Sequence, residues 1–350
     1  MVFIMLIMSI YAYTLYEDMR IKGILLLYSY TDTELRDNLQ ALSLSGHGNL
    51  RENTPTEWAS AWINGLDVRD RTKEAYRKNI GYYLAWLEIT GYSGAQRSDI
   101  LEYKEHLKEN YGASTISAYL TPVRAFYSWV SVTFGVPDIA QGIKGTKKPQ
   151  GFKKDPLTVD QIKTILNDID TEAPEGLRDY AIMSLMIHTG LRVIEVQRAD
   201  ISDIRNIMGR SVLFIQGKGK DEKDNYVILS PSVLQALQSY IKERGETLDA
   251  KAPLFVSGSD RNRGGRLTTR SISRIVKQRF VNVGLNSEKL TAHSLRHTAI
   301  TLALLGGATI QQAQAMARHS NINTTLIYAH NIERMETPAE DSITNMLQGA

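Results

Sequence analysis

The 350-residue sequence contains no cysteine. That absence excludes a disulfide framework, a thiol nucleophile and any zinc site built on thiolates, and it fits a reducing compartment. Chemistry, if there is any, falls to oxygen and nitrogen groups. A surplus of one charge is also lacking, since 41 Lys and Arg stand against 38 Asp and Glu, a formal +3. So small a total announces no polyanion partner by itself. Nor is there a convincing membrane span. Met1 to Tyr16 is uncharged and apolar, but it falls short of the roughly 20 residues a spanning helix needs, and Glu17, Asp18 and Arg20 follow at once. It has no basic flank or small-residue cleavage site of a signal peptide. Three readings of it remain: an upstream extension with the true start at Met5, Met8 or Met19, a packed accessory element, or a membrane anchor. Residues 1–53 are therefore taken as an N-terminal extension of open role, with no membrane partner and a cytoplasmic location expected.

Acid is missing locally as well. Gly142 to Lys154 carries Lys144, Lys147, Lys148, Lys153 and Lys154 with no Asp or Glu, and Arg261 to Arg279 carries six arginines and Lys277, again with none. Each stretch is either an ordinary solvated face or a surface for phosphates.

A hydrophobic content of 43% over this length supplies two cores, because a single core stops growing well before 350 residues. From Pro55 to about Gly135 the pattern is helical. Tyr76, Ile80, Tyr83, Leu84 and Leu87 recur at spacings of three and four and make one apolar face, while Arg71, Lys73, Arg77 and Lys78 line the other, with Asp70 and Thr72 as candidate caps. Trp58, Trp62, Trp86 and Trp129 fall on apolar faces and are expected in the core. Residues 54–134 thus read as a small all-helical domain. Residues 135–155 turn to Gly, Pro, Gln and Lys without periodicity, the composition of a basic linker.

A second domain, 156–335, opens with an amphipathic helix capped by Thr158 and continues with the apolar helix D-Y-A-I-M-S-L-M-I-H. S-V-L-F-I-Q and N-Y-V-I-L flank G-K-G-K-D-E-K-D, a β-hairpin with a charged, glycine-rich loop. Helical patterns resume to the end, and 336–350 forms a tail. The expected fold is mainly α with a small β-sheet, in two domains.

Arg192 follows T-G-L and opens the helix R-V-I-E-V-Q-R, so it projects from a helix N-terminus where backbone N–H groups favour an anion. Arg296 adds a second planar fork. Two guanidiniums can hold both non-bridging oxygens of a phosphate as charge builds on pentacoordinate phosphorus. His293 lies three residues before Arg296, on the same helical face, with His297 close to that face. The i,i+4 histidine pair resembles half of a zinc site, but Ser294 stands where a zinc protease has its glutamate, and metal binding is not expected. Lys218, between Gly217 and Gly219, is placed to protonate a leaving oxygen, with Lys220 and Lys223 as competitors that spacing cannot separate. Tyr328 is one of seventeen tyrosines, and its phenol, with an ordinary pKa of about 10, needs a base and cations to attack phosphorus.

In these motifs the chain from about Pro55 to Tyr328 resembles the tyrosine recombinases, the group of phage integrases, Xer-type enzymes and integrases of conjugative transposons. T-G-L-R-V-I-E is similar to the family's first arginine box, G-K-G to its hairpin lysine, H-S-L-R-H-T to its H-x-x-R box, and A-R-H-S-N-I-N-T-T-L-I-Y-A-H to its final box. The resemblance implies that Arg192 and Arg296 bind the scissile phosphate, Lys218 is the general acid and His293 the general base. It also implies that His319 hydrogen-bonds the phosphate and Tyr328 forms a 3′-phosphotyrosyl link, with no cofactor and no metal. Further implications are a two-domain clamp on double-stranded DNA, a homo-tetramer in which a segment near Glu340 to Ala350 reaches a neighbour, and accessory DNA-bending or directionality factors. Arg71, Lys73, Arg77, Lys147, Lys148, Arg270 and Arg274 are the candidate DNA contacts, the last two for a groove. One departure stands out: Ala317-Arg318 occupies the place of the usual leucine-glycine before the histidine. The expected role is integration or excision of a mobile element. Alternatives are Xer-type dimer resolution, a type IB topoisomerase activity, and a DNA-binding regulator without catalysis.

Overall fold

The apolar spacing around Tyr83 becomes the buried face of a 21-residue helix in the computed structural model, which describes residues 54–147, 155–217, 219–247 and 251–348. Two compact units divide near residue 150. The first contains α1 (Pro55–Asn64), α2 (Asp70–Thr90), α3 (Arg97–Asn110) and α4 (Ala113–Phe134). Thr54 and Glu57 form a capping box at the start of α1, with Pro55 in the first turn. The expected caps of α2 are corrected: Arg69 holds the cap position and makes no side-chain cap bond. Asp70 sits instead within the first turn, where its charge meets the positive end of the helix. Ile80, Tyr83 and Leu87 are buried with Trp62, and Trp58, Trp86 and Trp129 pack against the same core. Tyr127 donates to the Gly94 carbonyl at 2.6 Å, and its hydroxyl meets that of Tyr83 at 3.0 Å.

The linker begins later than composition suggested. Ala140 and Ile143 are each 3% exposed in the helical core, and Arg124 donates to the Ile143 carbonyl. Turn residues dominate the average composition there and hide the four apolar anchors Val136, Ile139, Ala140 and Ile143, which tie the segment to its unit.

In the second unit, α5 (Val159–Asn167) is capped by Thr158 as expected. Next come α6 (Pro174–Thr189), α7 (Val193–Arg198), β1 (Ile204–Ile207), β2 (Arg210–Ile215), β3 (Asn225–Ile228) and α8 (Pro231–Glu243). The remaining helices are α9 (Thr269–Asn282), α10 (Ala292–Leu305), α11 (Ile310–Ala317), α12 (Asn323–Glu336) and α13 (Ala339–Gln348). Helix α6 is buried from Ala181 to Ile187 and packs against α8 and α10, so it forms the centre of the core. The predicted hairpin is β2–β3. A third strand, β1, pairs antiparallel with β2; four residues with no clear alternation had not announced it. Register places Ile204 opposite Leu213 and Leu213 opposite Val227 towards the core, while Phe214 pairs with Tyr226 on the other face. Among the described residues the fold is mainly helical with this one small sheet. Among the described residues no helix is long and apolar enough to cross a membrane, and the extension 1–53 lies outside them.

Candidate active site

Arg296 is held by the fold rather than left loose on a surface. On α10 it is 2% exposed, its Nη1 donates to the Gly190 carbonyl at 2.6 Å, and its Nη2 donates to the Ala317 carbonyl. Gly190 ends α6 at φ +61°, a left-handed cap that turns the chain towards Arg192. Burial, reinforced by Arg192 and Arg318 nearby, lowers the Arg296 guanidinium to about 10, which still leaves it charged at neutral pH.

Arg192 caps α7, with its side chain 30% exposed. Its backbone N–H donates to Glu195 Oε2 at 2.8 Å and its Nη1 to Glu195 Oε1 at 2.9 Å. Glu195, only 1% exposed, folds back over the first turn and takes the Arg192 amide, so that one N–H is closed to an anion while the guanidiniums supply full positive charge. Arg318, in the turn after α11, donates its Nη2 to Glu195 Oε2 at 2.9 Å. This buried carboxylate is thus shared by two arginines.

Tyr328, on α12, is 5% exposed and its hydroxyl meets His297 Nδ1 at 2.6 Å. His297 lies one turn after the exposed His293 on α10, the two rings edge to face with centroids 4.7 Å apart. His319 Nδ1 meets Thr325 Oγ1 at 2.9 Å, and its ring stacks on that of Tyr328 at 6.3 Å. Burial first, then His293 and Arg296, brings His297 down to about 4. Burial first, then Arg296, Arg192 and Arg318, brings His319 to about 4 as well. Burial pushes the Tyr328 phenol up to about 12, with Arg296 offsetting part of the rise. At neutral pH these two imidazoles are uncharged and the phenol keeps its proton. Ionising it about five units below its pKa costs roughly 7 kcal/mol, so the phenol does not pre-ionise. An attack by its oxygen would have to shed that proton in the same step.

Lys218 lies outside the described residues. Its two competitors are engaged elsewhere: Lys220 pairs with Asp224 at 2.9 Å, and Lys223 bridges Asp200 and Asp203. Arg198 donates to the Gly217 carbonyl at 3.1 Å and so ties the hairpin loop to α7.

The candidate DNA contacts divide between the two units. Arg71 and Arg77 are exposed on α2, Lys73 reaches the Asn64 carbonyl, and Lys147 is exposed; Lys148 lies outside the described residues. Arg270 and Arg274 are exposed one turn apart on α9. Much of the surrounding basic stretch is structural: Arg266 pairs with Asp200, Arg279 with the buried Asp179, and Lys277 donates to the Ser287 carbonyl.

Four residues of this site were not singled out by motif. His297 had a signal in its i+4 spacing from His293, Glu195 in its i+3 spacing from Arg192, and Arg318 as a bulky cation at a turn. Thr325 had none. Among the described residues no three His, Asp or Glu side chains converge as metal ligands.

Arginines, imidazoles and a phenol drawn from α7, α10, the turn after α11 and α12 thus meet in one place. Residues 156–334 match the phage integrase family. The chain belongs to that family. It is a tyrosine-type site-specific recombinase. The chain is similar to tyrosine recombinase XerD of Listeria monocytogenes serotype 4b (strain F2365), 28% identical over 267 residues that cover 74% of this chain and 87% of the relative. Tyrosine recombinase XerA of Pyrococcus horikoshii is 30% identical over 264 residues, 75% of this chain and 85% of that one. The fold is similar to that of the XerH site-specific recombinase bound to palindromic difH substrate in a post-cleavage complex, with a TM-score of 0.64 and 19% identity, over 87% of this chain and 94% of that one.

Proposed function

We propose that this protein cuts and rejoins double-stranded DNA through a 3′-phosphotyrosyl intermediate. The observation that carries the reading is that the phenol of Tyr328, both motif arginines and His319 are gathered from elements spread over 136 residues of sequence, from 192 to 328. Arg192 and Arg296 hold the scissile phosphate, and His319 hydrogen-bonds it. The phenolic oxygen of Tyr328 attacks phosphorus and the bond to the 5′ oxygen breaks. His293 takes the phenolic proton, His297 orients the phenol for that transfer, and Lys218 protonates the departing 5′ oxygen. The phosphodiester energy stays in the protein link, so a second 5′-hydroxyl can reverse the step without ATP.

Arg71, Arg77 and Lys147 on the first unit and Arg270 and Arg274 on the second follow the DNA backbone. A homo-tetramer brings four such sites together, and the exposed Ile343, Met346 and Leu347 of α13 support its contact with a neighbouring subunit. The location is cytoplasmic, at the nucleoid.

Strand exchange of this kind either moves a mobile element or resolves chromosome or plasmid dimers. The Xer relatives, aligned over most of their length, support resolution; the motifs shared with element integrases support integration and excision. An attachment repeat flanking the gene is the mark of the second. The catalytic reading is tested with nicked duplexes from a randomised pool, captured as covalent protein–DNA adducts in EDTA. The expected result is a peptide carrying 3′-linked nucleotide at Tyr328. Loss of all adducts in EDTA, or linkage at another residue, overturns it.

A further inference from the structure

The residue that breaks the local rules of this fold is Arg318. It ends α11 in a Schellman turn, with its own N–H bonded to the Ala315 carbonyl and that of His319 to the Gln314 carbonyl. At φ +55° and ψ +44° it stands in the left-handed region that glycine adopts freely and a long side chain does not. Its side chain is only 11% exposed, and its buried Nε has no hydrogen-bond partner among the described residues. Backbone strain, a buried charge and an unpaired donor all disfavour arginine here, and a glycine would remove all three. Such conflicts between residue and fold are expected where function sets the choice.

The guanidinium reaches Glu195 Oε2 at 2.9 Å, while Oε1 of the same carboxylate takes Arg192 Nη1 at 2.9 Å. A second bond, from Nη1 to the Met316 carbonyl at 2.6 Å, fixes its approach. With Arg192 and Glu195 alone, the buried carboxylate has a single cation, and the charge of Arg192 is spent inside the protein. Arg318 changes that count: three guanidiniums now stand against one carboxylate, which leaves two positive charges unmatched. A phosphodiester attacked by a phenolic oxygen passes through a pentacoordinate phosphorus carrying two negative charges. We propose that Arg318 is a positioning residue that neutralises Glu195 and thereby leaves Arg192 to the scissile phosphate. The inference rests on the proposed role of Arg192 and Tyr328, and it also explains why the glycine usual at such a turn is absent.

The test uses the full-length protein and a nicked duplex recovered by the covalent capture described above. Arg318→Gly relieves the strained turn, so its melting temperature is expected to equal or exceed that of the parent. Its rate of adduct formation is expected to fall at least tenfold, and guanidinium chloride at low millimolar concentration is expected to restore part of that rate, because the small cation refills the vacated place beside Glu195. A more stable yet slower enzyme with chemical rescue is not the signature of a merely structural residue. Adduct formation within twofold of the parent overturns the inference, as does a loss that follows a fall in melting temperature and is not rescued. Tyr328→Phe separates the two levels of the argument. If it still forms adducts, or if the parent forms none, the reading of the site fails and this inference with it; if it forms none while Arg318→Gly reacts at the parental rate, only the role of Arg318 fails.

Discussion

The phenol of Tyr328 and the imidazole of His297 share a 2.6 Å hydrogen bond that links α12 to α10. It is made by a histidine one turn beyond the one the H-x-x-R motif singles out. With His297 held near 4, this imidazole is uncharged at neutral pH, and the bond between its Nδ1 and the hydroxyl fixes where the phenolic oxygen points. His297→Phe keeps a ring in the place and removes the hydrogen-bonding nitrogen. Adduct formation is expected to slow about fivefold, matching the roughly 1 kcal/mol of a single hydrogen bond, while DNA affinity in a mobility-shift assay stays within twofold. Unchanged cleavage would show the bond to be incidental to the reaction.

The two motif arginines are expected to separate stability from catalysis. Arg296 is fully buried and satisfies two carbonyls of its own unit, so Arg296→Gln lowers both thermal stability and cleavage; leaving those carbonyls unmatched costs about 2–4 kcal/mol. Arg192 is partly exposed, and its partner Glu195 keeps Arg318. Arg192→Gln is therefore expected to melt within a few degrees of the parent yet lose at least a hundredfold in adduct formation. Paired melting curves and adduct rates check this, and a large stability loss in the Arg192 variant contradicts it.

His297 and His319 also set a pH dependence for folding. Both have folded-state pKa values of about 4, below the ordinary value near 6.5, so the unfolded chain binds protons first as pH falls. Stability is fully present above pH 6.5 and is lost as pH drops from there towards 4. Urea midpoints measured between pH 7.5 and 4.5 should decline over that window, and the decline should flatten in a His297→Asn, His319→Asn double variant. An unchanged slope in that variant excludes these two imidazoles as the source.

How much of this was legible in the sequence depends on range. The helix around Tyr83 followed from periodicity because burial of one face is a local property, and the helix around Ile182 from its continuous apolar run. Arg192, Arg296, His319 and Tyr328 stood out because each sits in a short motif whose spacing is itself local. The Glu195–Arg318 pair spans 123 residues, and the Tyr328–His297 bond depends on how α10 meets α12; no window of sequence contains either. Strand β1 was missed because its four residues acquire a core face only through pairing with β2. The helical unit ran past Gly135 because a few apolar anchors outweigh a polar average.

The hairpin loop offers the sharpest remaining test, since three lysines compete for one role within six residues. Lys223 bridges Asp200 and the nearly buried Asp203, so Lys223→Met is expected to cost stability, about 2–3 kcal/mol for a carboxylate stripped of its partner. Lys220 pairs with Asp224 on an exposed loop, and its replacement by alanine should change stability by less than about 1 kcal/mol. Both ammoniums are already drawn to carboxylates, which makes either a poorer proton donor to a departing oxygen. If Lys218 is the acid, Lys218→Ala slows adduct formation more than a hundredfold on an ordinary phosphodiester. It should recover nearly the parental rate when the 5′-bridging oxygen is replaced by sulfur, because a thiolate leaves without a proton. Failure of the sulfur substrate to rescue Lys218→Ala, or its rescue of Lys220→Ala instead, assigns the proton to a different group.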